Sequence, residues 1–152
     1  MVIEQERPED RGAVRDVVSR AFDEQPSVAE LVELIRASPQ YVSELALVAR
    51  VGGEVVGFVM LSRADLVEAD GTRHEVLTLS PLAVAPDHQG RGIGSTLVRA
   101  GLAAADAAGA AAVVLEGSPV YYGRLGFRFA ADFAITIACR SGRQWKLPRR
   151  TC

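Results

Sequence analysis

The stretch PLAVAPDHQGRGIGSTLVRAGLAAADAAG, residues 81–109, opens as an apolar strand, passes through glycines at 90, 92 and 94, and ends in an alanine-rich amphipathic segment. Glycine loses more backbone freedom on folding than any other residue, so this density implies left-handed angles or a close backbone approach to something. Ile93, Leu97, Val98, Gly101, Leu102 and Ala105 recur at helical spacing and predict a helix from about 92 to 108. Strand, glycine loop and helix in that order make an anion site. The first amide N–H groups of a helix have no intrahelical partner, and the helix dipole favours negative charge there. Arg91, between two of the glycines, can add a charge-assisted contact. The guest this pattern implies is a phosphate or pyrophosphate.

Outward from the loop, the chain reads as alternating strands and helices. Residues 2–7 form a short first strand, and Val14, Val17, Val18, Ala21 and Phe22 mark a helix that Pro8 helps to open. Residues 27–37 predict a second helix, with Ser27 and Glu30 in capping-box spacing and Pro39 closing it. Residues 45–51 and 54–67 flank Gly52-Gly53 as a hairpin, and residues 73–86 return after a turn at Gly71. Beyond the central helix come a buried strand at 111–117, a short helix ending at Gly126, strands at 127–130 and 133–139, and an optional last strand at 145–150. This order predicts an α/β fold: a mixed, largely antiparallel sheet flanked by helices, in one domain over residues 1–152.

Composition narrows the function. A chain of 152 residues fits one domain with a real core, and 49% hydrophobic with 24% charged residues is ordinary for a globular protein. A net charge of −2 gives no basic field for nucleic acid. No apolar run has spanning length, and the charged opening MVIEQERPED lacks a signal-peptide core, so no membrane role and a cytoplasmic location are expected. Cys139 and Cys152 match no metal-ligand spacing, and no metal is expected.

The loop fits three motifs unequally. A nucleotide-hydrolysing loop needs Gly-Lys-Ser/Thr, and here Ile93-Gly94-Ser95 carries no lysine. The dinucleotide fingerprint fails because its third glycine would fall on Ser95 or Leu97. Gln89-Gly90-Arg91-Gly92-Ile93-Gly94 resembles the [Q/R]-x-x-G-x-[G/A] loop of the GNAT superfamily of N-acetyltransferases, which binds the coenzyme A pyrophosphate. Downstream, VYYGRLGF resembles that family's [F/Y]-Y-x-x-x-G-F signature. The segment VVLEGSPVYYGRLGF is also similar to the YhbS-like bacterial branch, although Ser118 stands where that branch would carry aspartate. A plain glycine-rich turn is the competing reading of the loop alone.

The resemblance implies acetyl-CoA as co-substrate and direct transfer of acetyl to a primary amine. It implies cofactor contacts from Leu82, Ala83 and Val84 on a splayed strand and from Gln89, Gly90, Arg91, Gly92, Ile93, Gly94 and Ser95 in the loop. Pro81 supports the splay, because a proline that lacks the ladder donor belongs at an edge, a strand start or a bulge; a simple kink is the other reading. By position in the signature, Tyr122 is the expected acid for the departing thiolate, with Tyr121 as core packing. Many family members carry a glutamate where Ser80 stands here. Glu116 then becomes the candidate base, directly or through water, with Glu75 behind it and no role for His74 or His88. The acceptor is a small-molecule, peptide or protein amine, and the family suggests a homodimer. A non-catalytic acyl-CoA-binding or sensing module is the alternative, kept open by Ser80.

Overall fold

The computed structural model describes residues 1–129 and 145–148. Among them run β1 (Val2–Gln5), α1 (Arg11–Ala21), α2 (Pro26–Arg36), β2 (Ala46–Val51), β3 (Glu54–Val67), β4 (Arg73–Val84), α3 (Ile93–Ala107), β5 (Val113–Glu116), α4 (Pro119–Arg124), β6 (Phe127–Phe129) and β7 (Trp145–Pro148). The strands lie in the order β1-β2-β3-β4-β5-β7-β6. Every pairing is antiparallel except β4 with β5, which α3 connects as a parallel crossover. This is the mixed α/β sheet with flanking helices that the sequence predicts. The strand expected at 133–139, with Cys139 and Cys152, lies outside the described residues.

Two helix starts differ from expectation. Pro26, not Ser27, opens α2, and Gln25 is the N-cap with no side-chain hydrogen bond. Proline's fixed φ suits the first helical position, and it sets the start one residue early. Pro8 opens a separate single turn, Pro8–Asp10, just ahead of α1.

The core has two layers, one on each sheet face. Val14, Val17, Val18, Ala29 and Val32 of α1 and α2 pack on Ala46, Val48, Phe58, Met60, Ala83 and Ala85. On the other face Ile93, Leu97 and Val98 of α3 pack on Leu45, Leu47, Ala49, Val59, Leu61, Leu77 and Leu79, with Leu82 and Val84 beside them. Alternation along each strand produces this division. In β4, however, the parity changes. Leu77 and Leu79 face α3, and so do Leu82 and Val84. The cause is a bulge: Val59 pairs with Leu82 and Leu61 with Leu79, so Ser80 and Pro81 together oppose Met60.

The bulge also turns the backbone. Before it, the Leu77 N–H donates to the Ala112 carbonyl on the β5 side. After it, the Ala85 N–H donates to Val56 of β3. By ladder alternation, Leu82 and Val84 therefore point their backbone groups away from β3. On that side β4 pairs with β5 only at Leu77 and Thr78. Among the described residues nothing pairs with that side of β4 beyond Thr78, and this free edge runs straight into the glycine loop.

Candidate active site

The free edge of β4 and the start of α3 enclose a cleft of about 380 Å³. Leu82 and Val84 form its floor, Gly90, Gly92, Gly94 and Ser95 its loop side, and Ala21 and Phe22 at the end of α1 its far wall. Gly92 caps α3 at φ 80°, and Gly90 lies at φ 75°. These left-handed angles are where glycine is the default residue. A Cβ at either position would meet no atom within 4 Å, so it would project into open space rather than into protein. The N–H groups of Ile93, Gly94 and Ser95 open α3 and have no intrahelical partner. Free donors, left-handed glycines and a free strand edge in one cleft fit a pyrophosphate joined to an extended amide-bearing arm.

Most of the expected cofactor residues meet here. Leu82, Val84, Gln89, Gly90, Gly92, Ile93, Gly94 and Ser95 all line the cleft. Ala83 does not: its side chain is buried on the opposite face against α1, as strand alternation requires. Arg91 is exposed on the loop, outside the cleft lining. Gln89 turns its side-chain amide back onto the Val84 carbonyl at 3.0 Å, tying the loop to the strand end.

The tyrosines take different places from those the signature suggests. Tyr121 lines the cleft, with its hydroxyl 3.3 Å from Ser95 Oγ. It is therefore not core packing. Tyr122 turns into the protein: its ring meets Phe127 edge-on at 5.7 Å, and it packs on the α3-side core. A Cβ on Gly117 would collide with the Tyr122 ring at 2.3 Å, so a bare glycine makes room for it. Burial, with Tyr121 beside it, pushes the Tyr122 phenol up to about 12. Both tyrosines belong to a single short helix whose Ser118 accepts from the Tyr121 amide at 3.4 Å. Helical geometry sends consecutive side chains to different faces, and only packing decides which one meets the cleft.

His88, given no role by the sequence, lines the cleft as well. Its Nδ1 lies 3.2 Å from Asp87 Oδ1, close enough for an ion pair but out of line for a hydrogen bond. The imidazole holds the Asp87 carboxyl below the ordinary range. Asp87 is also 3.9 Å from Arg20, which links this turn to α1. No sequence signal distinguished His88 from a surface histidine, because the approach of α1 creates its setting.

The carboxylates separate. Glu116 ends β5, exposed, two residues past the last β4–β5 pair, and is not among the residues that line the cleft. Glu75 is far along β4, at the mouth of a different groove near Leu45 and Ala110, and lies 3.8 Å from Arg63. It is out of reach of the cleft. Among the described residues no group of His, Cys, Asp and Glu is arranged to hold a metal ion, and no helix is long and apolar enough to cross a membrane.

The sequence model of the acetyltransferase (GNAT) family matches residues 13–127, from α1 through the glycine loop to the tyrosine signature. The chain belongs to the GNAT family of acetyltransferases. It is 37% identical over 122 residues to the uncharacterized N-acetyltransferase YjhQ of Escherichia coli K12, an alignment spanning 78% of this chain and 64% of YjhQ. The GNAT-family acetyltransferase from Brucella melitensis, solved with acetyl-CoA, superimposes with a TM-score of 0.76 at 32% identity, covering 95% of this chain and 85% of that one. Escherichia coli YhbS, solved with CoA, gives 0.78 at 30% identity, covering 96% and 80%. In this GNAT chain the cleft at β4 and α3 has the elements to hold that cofactor.

Proposed function

We propose that this GNAT-family chain transfers acetyl from acetyl-CoA to a primary amine by direct attack. The observation that carries the reading is the single cleft joining a free β4 edge, a left-handed glycine loop at a helix start and a tyrosine hydroxyl. Bound acetyl-CoA supplies the activated acyl group as a thioester. The amides at residues 89–95 would hold its pyrophosphate, and the backbone of Leu82 and Val84 its extended arm and carbonyl.

The protein must then manage two protons. The attacking amine has to be neutral, and the sulfur that leaves needs a proton. Tyr121 is our candidate for the second task, because its hydroxyl faces the cleft. Tyr122, favoured by motif position, stays the competing assignment; its burial and raised pKa, which make it a weaker acid, count against it. Glu116 would accept the amine proton through water, since Ser80, on the strand itself, cannot.

The test is single-turnover acetyl transfer with spermidine, tyramine, lysine and an alanine-led tetrapeptide as acceptors. Tyr121→Phe should slow the reaction by at least about tenfold, the low side of what general acid catalysis supplies, with calorimetric affinity for acetyl-CoA unchanged. A loss confined to Tyr122→Phe would return the role to Tyr122. Ser80 favours a second reading, a sensing module. Tight acetyl-CoA binding with no turnover on any of these amines would support it. We also propose one domain over 1–152, a bacterial cytoplasmic location and a homodimer; the dimer is checked by sedimentation equilibrium.

A further inference from the structure

The start of α3 carries two adjacent hydroxyl residues that behave differently. Thr96 Oγ1 turns back on its own helix and donates to the Gly92 carbonyl at 2.8 Å. Ser95 Oγ turns away from the helix and lies 3.3 Å from the Tyr121 hydroxyl. Beside it, Gly94 leaves room for that hydroxyl: a Cβ there would stand 2.8 Å from it. Tyr121 in turn is braced edge-on by the Tyr122 ring at 4.9 Å. A bare glycine, a serine hydroxyl and a bracing ring together seat one phenol over the first turn of a helix.

We propose that Ser95 is a positioning residue that orients the Tyr121 hydroxyl and returns its proton. The proposal rests on the reading of Tyr121 as the acid. When the Tyr121 O–H bond breaks toward the departing sulfur, a phenolate oxygen remains beside the apolar side chains of Leu82 and Val84. Ser95 O–H donates to that oxygen, and the positive end of α3 favours its charge. Ser95 then passes its own proton to the phenolate and takes one from water, since it is only half-buried. The proton count closes: one leaves Tyr121 for sulfur, and one returns to Tyr121 from solvent. Gly94 has a second duty in this arrangement, because any side chain there would push the phenol off its seat.

The test begins without cofactor. In protein labelled with ¹³C-tyrosine, Ser95→Ala should move the Tyr121 ring resonances and leave those of Tyr41 in place. Ser95→Thr, which keeps the hydroxyl, should restore them. With acetyl-CoA and the best acceptor of the amine panel, Ser95→Ala should slow single turnover by about tenfold, the order of one lost hydrogen bond, while affinity for coenzyme A stays constant. In a Tyr121→Phe background, Ser95→Ala should add nothing. Unmoved Tyr121 resonances, or an equal loss in the Tyr121→Phe background, would overturn the role of Ser95 and leave Tyr121 as the acid. An undiminished rate for Tyr121→Phe itself would overturn the Tyr121 reading and, with it, the proton return through Ser95.

Discussion

At Tyr122 a single hydroxyl links burial to stability. The phenol is neutral when protonated, and burial raises its folded-state pKa from 10.0 to about 12. Between those values the unfolded chain ionises first, so the stability present below the lower value is lost as pH rises through the upper one. Urea midpoints should therefore fall from about pH 10 to about pH 12, and Tyr122→Phe should flatten that fall. Gly92 makes a complementary case. At φ 80° with open space around it, it needs no room for packing but does need its backbone angle. Gly92→Val should leave the protein folded and weaken acetyl-CoA binding by at least about tenfold, roughly 1.4 kcal/mol, measured by calorimetry. The sequence pointed to both residues. Which of two neighbouring tyrosines turns inward was not written in it, because Gly117 and Phe127 decide that by packing.

Among the elements, α2 and α3 are held by opposite means. Arg36 of α2 reaches Glu6, just past β1, in a pair whose side chains are 5% and 1% exposed. The guanidinium also sits over the Phe58 ring at 5.9 Å. Arg36→Ala would strand a buried carboxylate and should cost about 3–5 kcal/mol in urea unfolding. Arg36→Met combined with Glu6→Leu should recover most of that loss, since an apolar pair replaces the ion pair without leaving a lone charge. α3, by contrast, is seated by small residues. A Cβ on Gly57 of β3 would lie 2.8 Å from Leu97 Cδ1 and 3.2 Å from Ile93 Cγ2. Gly57→Ala should therefore destabilise by about 1–3 kcal/mol through overpacking. Because Ile93 begins α3, the same variant should loosen the cofactor loop and raise the dissociation constant for coenzyme A.

For the whole molecule, cofactor binding should stabilise the fold through the cleft that β4 and α3 share. Acetyl-CoA at a hundred times its dissociation constant should add about 2.7 kcal/mol to unfolding stability. Hydrogen-exchange protection should concentrate at the amides of Leu82, Val84 and the 90–95 loop, and leave the Val67–Arg73 end of the β3–β4 hairpin unchanged.

Much of this architecture was legible in the chain itself. Period-two apolar runs, glycine turns and the helical spacing after Gly92 are local signals, and among the described residues they marked elements close to their observed bounds. Backbone sterics made the glycine loop readable for the same reason: left-handed angles and close approach demand glycine whatever surrounds them. The tertiary structure decided what depends on distant neighbours. It placed His88 in the cleft, because α1 comes to rest beside it. It buried Ala83 away from the cleft that Leu82 and Val84 line, because strand alternation is counted from the bulge opposite Met60. It removed Glu75, because position along β4 sets reach where residue type cannot. It turned Tyr121 toward Ser95, because a short helix offers several faces and the core accepts only the ring that fits.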